Sequence, residues 1–406
     1  MFNRRMDSAW LLGVLAVAAC GGEVAPDGVP QNVAVDAGSP AGDAASGSGA
    51  AASVGDAGPA DAAPPVTVGP RERRITLVAV GDLLFGRYLD RDTYRRVPQP
   101  PTAGAPVEPF GDVAGLIQRA DLALANLESP VLVEPARFKV HDRMTFRAEP
   151  GDLALMAAAG FDAVSFANNH ALNFGAAGLS ETLAHVEAAG LRALGIGVGR
   201  DRAERAEVFE VGGLRVAVLA RTVWLNGHAA PARGATIAYH DNRSLPRGMV
   251  RAVEAVEAEL APDVLVVFIH WGREYEPHPR GHQQRAARAM IDAGADLVIG
   301  HHPHVIQDLE RYHGGVIAYS LGNFLFDNGE LRQRRSAVLE VVIRAEAGAI
   351  RVETPTLHPV LIDDQRQRPE WARGEAGRRW RKALAELAPE ALIAPAPAPA
   401  SAPEAR

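Results

Sequence analysis

Six short runs rich in β-forming apolar residues, 75–80, 122–125, 163–167, 216–219, 264–269 and 297–299, alternate with stretches such as 152–159, 177–188 and 283–293, whose apolar spacing suits helices. This alternation limits the chain more than any other feature, because strands separated by helices bury both faces only in a layered α/β fold. Beyond residue 300 the runs 316–320, 337–343 and 350–352 come with fewer helices between them, which predicts a second sheet or an antiparallel portion. No internal repeat stands out.

Polar residues able to bind metal stand immediately after five of these runs. Asp82 follows the first, Glu128 the second, and Asn168, Asn169 and His170 the third; His270 follows 264–269, and His301, His302 and His304 follow 297–299. Ligands of open α/β sheets sit beyond the carboxyl ends of the strands, so these residues are expected to converge on one place. A lone cysteine, Cys20, excludes a thiolate-rich zinc site, so a metal here must use nitrogen and oxygen donors. Imidazoles, carboxylates and an amide oxygen suit Mn, Zn or Fe. One or two such divalent ions, the latter about 3.5–4 Å apart, activate a water and clamp the oxygens of a phosphoryl centre, which makes phosphoester hydrolysis the natural chemistry.

Taken singly, several of these residues have plainer readings. Gly81-Asp82 alone is a turn, Glu128 before Ser129-Pro130 is a loop carboxylate, and Asn168 caps a turn, leaving Asn169 as the ligand. Three histidines within 301–304 are harder to explain as packing, since each buried imidazole needs a partner. Strand alternation turns His301 away from His302, so it is left out of the ligand set as a supporting or surface residue. His185, His228, His240, His278, His282 and His313 lack strand-end placement and read as surface residues, with contact to substrate left open for His278 because 274–279 follows the His270 block directly.

The blocks 81–87 (GDLLFGR), 120–128 (ADLALANLE), 168–170 (NNH), 270–272 (HWG), 300–305 (GHHPHV) and 320–324 (SLGNF), in this order, resemble the capsule-synthesis CapA family, associated with bacterial poly-γ-glutamate capsules. The likeness spans roughly Ile75 to Asp327. It implies the calcineurin-like metallophosphoesterase fold, a layered β-sandwich of two mixed sheets flanked by α-helices. It also implies that Asp82 and His304 bind a first metal, that Glu128 bridges, and that Asn169, His270 and His302 bind a second. His170 takes the place of the histidine near the leaving-group oxygen, a general acid or transition-state stabiliser. Arg87 and Asn323 are expected at the substrate, Arg87 to pair with an anionic group, with a supporting role as the amide of a tight Gly-Asn turn the alternative for Asn323. Two positions depart from the pattern: Leu84 stands where the wider superfamily has a histidine, and Asn173 stands where relatives often carry an aspartate, removing a charge partner of His170.

The N-terminus carries Arg4 and Arg5, then an apolar run to Ala19 and Cys20, the layout of an export signal too short to span a membrane comfortably. Val17-Ala18-Ala19-Cys20 resembles a lipobox, so residues 1–20 are expected to be a lipoprotein signal with Cys20 acylated; a signal cut near Ala19 or an uncleaved anchor are the alternatives. The expected location is outside the cytoplasm, on a membrane through the lipid, with the outer membrane open because no Asp follows Cys20. Residues 21–70 are Ala/Gly/Pro-rich and read as a disordered tether, 71–392 as the folded domain, and 393–406 as a disordered Ala/Pro tail. A net charge of -7 with interspersed signs sets nucleic acid aside as a partner. Expected partners are an anionic polymer or phosphoester, the membrane, and capsule-export proteins. The expected function is metal-dependent hydrolysis of a phosphoester or processing of an envelope polymer. The rivals are a non-enzymatic polymer-binding or anchoring factor and a periplasmic small-molecule phosphodiesterase.

Overall fold

The structure is a computed structural model that describes residues 73–90, 93–96, 109–140, 142, 144–327, 329–346 and 348–398. The expected signal, Cys20 and the tether lie outside the described residues. No helix among those described is long and apolar enough to cross a membrane.

Two mixed sheets form the layers. The larger runs in the order Pro369–Trp371, Thr356–Ile362, Arg335–Glu346, Arg73–Leu83, Leu122–Leu127, Ala163–Ser165, Arg192–Leu194. Its last four strands are parallel, whereas Arg335–Glu346 meets both its neighbours antiparallel. The smaller sheet has the order Leu309–Tyr312, Gly315–Ala318, Leu297–His301, Val264–His270, Leu214–Thr222, Glu207–Val211, with four parallel strands inside and an antiparallel strand at each edge.

Side chains alternate along each strand, so an apolar strand supplies two cores. Ile75, Leu77 and Ala79 join Leu124, Val216, Val266 and Ile299 between the sheets, while Val78 and Val80 face the helices Pro150–Ala158 and Gly175–Ala188. A third cluster, which includes Trp271, packs Leu245–Leu260 and Gly281–Asp292 on the outer face of the smaller sheet. Leu245–Leu260 is a helix with no counterpart among the sequence expectations; Leu245, Met249, Val253 and Val256 form its buried stripe, and Ala261 in the left-handed region (φ 40°) ends it.

Register is set at the strand entries. Asp121, Asp162, Asp263 and Asp296 each precede a parallel strand, and each carboxylate accepts the backbone N–H of a neighbouring strand, Thr76, Ala123, Arg215 and Leu265, at 2.7–2.8 Å. Each of these aspartates also donates its own N–H to the carbonyl of that same residue, at 2.8–3.0 Å. A slip by one residue would break both bonds and turn every side chain to the opposite face.

The C-terminal boundary needs correction. The strand Leu392–Ile393 pairs with Thr356–Ile362, Ala394 donates to the Leu357 carbonyl at 2.9 Å, and Arg373 donates to the Pro397 carbonyl. Ile393 and Ala394, expected in the tail, are therefore held by backbone pairing that composition does not reveal, and Pro397 by the Arg373 side chain. The closing helix is Gly374–Leu387, preceded by a short strand, with Trp380 and Leu384 buried.

Candidate metal centre

Asp82, Glu128, Asn169, His270, His302 and His304 meet where the carboxyl ends of the two sheets adjoin, and none is more than 6% exposed. His270 Nε2 lies 3.0 Å from Glu128 Oε1 and 2.9 Å from Asn169 Oδ1. His304 Nε2 lies 3.7 Å from Glu128 Oε2, and the His302 N–H donates to Asp82 Oδ2 at 3.2 Å. Donor atoms of Asp82, Glu128 and His270 fall within 4.8 Å of one another, as do those of Glu128, His302 and His304. Glu128 belongs to both groups, the arrangement a shared carboxylate needs. These groups join His302 to His304 and Asp82 to His270, which differs from the partition implied by the family resemblance.

The donor set fits a divalent cation. Neither Glu128 oxygen receives an aligned hydrogen bond although the side chain is fully buried, and His302 Nδ1 is likewise without a partner. A buried, unpaired carboxylate is strongly unfavourable until a cation or proton meets it. Burial and the Glu128 charge push Asp82 up to about 8. Burial pushes Glu128 up too, but His304 and His270 outweigh it and hold this carboxyl below its usual range. Burial presses His270 and His302 toward the neutral form that ligates metal, whereas Glu128 and Asp82 overcome burial and raise His304. His302 (φ 95°) and His304 (φ 55°) sit in the left-handed region, backbone that non-glycine residues adopt at a cost and that concentrates at binding loops.

Close approach of backbone builds the frame. A Cβ at Gly81 would lie 2.2 Å from the Gly322 oxygen, and one at Gly300 would lie 2.0 Å from the Tyr319 oxygen, so only glycine lets these strands come together beside Asp82 and His301. Asn126, not among the predicted residues, donates to Asp82 Oδ1 at 2.8 Å while its own oxygen accepts from Asn168 at 3.2 Å. Asn169 donates to Asn226 Oδ1 at 3.3 Å, which turns its amide oxygen toward His270. His301 is buried and hydrogen bonds through Nε2 to the Val80 carbonyl at 3.1 Å, so it supports the centre from behind and is no surface residue.

Asn323 and Arg87 are both engaged within the protein. Asn323 is fully buried; its Oδ1 accepts from His304 Nδ1 at 2.9 Å and its Nδ2 donates to the carbonyls of His304 and Gln333. Its amide therefore orients His304, leaving Nε2 as the ligating atom, and has no group left for substrate. Arg87 forms a bidentate pair with Asp327 at 2.7–2.9 Å and lies over the Phe146 ring at 4.9 Å. An incoming anion would have to share it, because the guanidinium is already engaged. Leu84 packs in the apolar cluster and supplies no donor.

His170 stacks on Phe146 with 3.8 Å between centroids, and its Nδ1 meets Asn173 Oδ1 at 3.0 Å. Burial lowers its pKa to about 4, with Glu128 acting in the opposite sense. At the rim stand half-exposed Trp224 and Tyr275, with ring centroids 5.9 Å from His302 and 6.2 Å from His304.

The description "Bacterial capsule synthesis protein PGA_cap" belongs to a family that matches residues 76–328. The PGA biosynthesis protein CapA of Bacillus subtilis (strain 168) is 32% identical over 297 residues, covering 71% of this chain and 74% of that one. The capsule biosynthesis protein CapA of Bacillus anthracis is 32% identical over 284 residues, covering 68% and 66%. Among solved structures, the calcineurin-like phosphoesterase YfkN from Bacillus subtilis aligns at TM-score 0.43 with 15% identity, over 78% of this chain and 97% of that one. The chain belongs to the bacterial capsule synthesis protein PGA_cap family.

Proposed function

We propose that this protein is a metal-dependent hydrolase of phosphoester bonds in an envelope polymer or its phosphorylated precursor, exported and held on a membrane through Cys20. The observation that supports it best is the pair of buried Glu128 oxygens without aligned donors, enclosed by Asp82, Asn169, His270, His302 and His304. A bound divalent ion supplies Lewis acidity and a water acidic enough to ionise near neutral pH. Asp82, Asn169 and His270 would serve one ion and His302 and His304 another, each together with Glu128. The chain's own contribution is to bury these groups and to aim His170, whose Nδ1 is occupied by Asn173, so that Nε2 is free to exchange a proton with a leaving-group oxygen.

The rival reading is a factor that binds polymer carboxylates through the metal without cutting, a use that suits a centre in which Leu84 replaces one imidazole donor. The relatives named for PGA biosynthesis make poly-γ-glutamate the polymer to try. The test is turnover of aryl phosphodiesters and of poly-γ-glutamate by the purified chain with Mn²⁺. Hydrolysis lost in His170→Ala supports the hydrolase. Metal-dependent polymer binding with both substrates intact supports the binding factor, and aryl ester turnover without polymer binding points to a small-molecule phosphodiesterase.

A further inference from the structure

The replacement of an aspartate by Asn173 does not leave His170 without a carboxylate behind it. Asn173 Oδ1 accepts the Phe146 N–H at 2.9 Å, and its Nδ2 donates to Asp142 Oδ2 at 2.6 Å. A backbone N–H can only donate and a carboxylate oxygen can only accept, so these two bonds fix which end of the amide is oxygen. The oxygen that faces His170 Nδ1 at 3.0 Å is therefore an acceptor, and Nδ1 carries the proton. Nε2 is left as the free nitrogen.

Asp142 is held in turn. His228 Nε2 meets the same Oδ2 at 2.9 Å, and Thr145 Oγ1 donates to the Asp142 carbonyl at 2.7 Å. His228 lies in the loop between the strands Leu214–Thr222 and Ala235–Ile237, and the same loop supplies Asn226 to Asn169 and Trp224 to His302. One loop thus stands behind a metal-side amide and, through Asp142, behind the expected proton-transfer residue.

We propose that Asp142 is a positioning residue for His170, acting through the Asn173 amide and kept in place by His228. The carboxylate polarises the amide, strengthens the bond that Asn173 Oδ1 accepts, and locks the imidazole in the tautomer with a free Nε2. A neutral amide between carboxylate and imidazole transmits orientation without placing a negative charge against the ring. The catalytic consequence rests on the hydrolase reading, whereas the tautomer lock does not.

The test uses the full chain labelled with ¹⁵N-histidine and loaded with Zn²⁺, its His170 signals assigned by their loss in His170→Gln. Wild type should show one protonated and one unprotonated ring nitrogen, assigned as δ and ε. In Asp142→Ala the two nitrogens should move toward an averaged tautomer mixture with metal content unchanged. On an aryl phosphodiester kcat should fall by about 10-fold or more with little change in KM, a part of the effect of removing a general acid or base outright. Asn173→Asp alone keeps an acceptor against Nδ1 and should hold the tautomer, but it sets two carboxylates face to face and should lower Tm. Joined with Asp142→Asn it restores a donor and acceptor in swapped places, and should recover Tm and keep the lock with most of the rate. A fixed tautomer in folded Asp142→Ala, or a released tautomer in the swapped pair, overturns the proposal. A lock that Asp142→Ala releases upholds it even where wild type hydrolyses nothing, a result that would count against the hydrolase reading alone.

Discussion

Replacing Asp82 by asparagine should make the metal-free protein more stable and remove its response to metal. In the fold, burial and the neighbouring Glu128 charge raise this carboxyl from 3.8 to about 8. Between those values the folded chain keeps a proton that the unfolded chain has lost. Stability therefore falls with rising pH, by about 1.36 kcal/mol per pH unit: the contribution is full below the unfolded pKa and gone once pH passes the folded one. Carried to about pH 7.5, this gives an upper bound of about 5 kcal/mol. Asparagine has no such penalty, but one amide oxygen cannot replace both oxygens that accept from Asn126 and His302, a loss of about 1–2 kcal/mol. The net gain is at most about 3–4 kcal/mol, or a Tm higher by about 4–6 °C for a domain of roughly 320 residues. Wild type should recover the deficit when Mn²⁺ is added, since a ligand at about 100 to 1,000 times its Kd stabilises by about 3–4 kcal/mol. Calorimetry with chelator and with Mn²⁺, at about pH 4 and about pH 7.5, separates these terms. The reasoning fails if metal-free Asp82→Asn melts below wild type near neutral pH, or if it keeps the full Mn²⁺ response.

His304→Ala should lose bound metal, whereas His170→Ala should keep metal and lose turnover; equal metal loss by mass spectrometry in both variants would contradict the separate role of His170. Asn323→Leu should weaken metal affinity by about 10- to 100-fold, read by competition with a chromogenic chelator, because His304 would lose the acceptor that fixes its ring. Away from the centre, burial raises Asp296 to about 6, so its contribution to stability is full below the unfolded carboxyl pKa and lost as pH rises through about 6. Asp296→Asn should therefore raise Tm near pH 7, by the equivalent of up to about 3 kcal/mol, and leave it unchanged near pH 4.

The strand ends carried most of what could be read from the sequence, since an apolar run followed by a carboxylate, amide or imidazole identifies both a strand and the edge where its last residue points. The six expected ligands meet for that reason. A second regularity is less visible: Asp121, Asp162 and Asp263 each stand seven residues before Glu128, Asn169 and His270. An aspartate that clamps the strand entry thus travels with a donor at the strand exit, although a carboxylate before an apolar run looks like any loop residue. Asn323 stays open between substrate and support because a Gly-Asn turn beside the site gives no hint of which atoms its amide must satisfy. Asp142 and His228 lie 31 and 58 residues from Asn173 and His170, and no periodicity joins them. The edge strand Leu392–Ile393 was hidden because its pairing is made by backbone, to which an Ala/Pro composition is blind.

An anomalous difference map from Mn²⁺-soaked crystals tests the metal centre most directly. The account predicts density beside Glu128, within reach of His304 Nε2 and His270 Nε2, and lost in Glu128→Ala. A map with no peak there, or with peaks only against surface carboxylates, would contradict it.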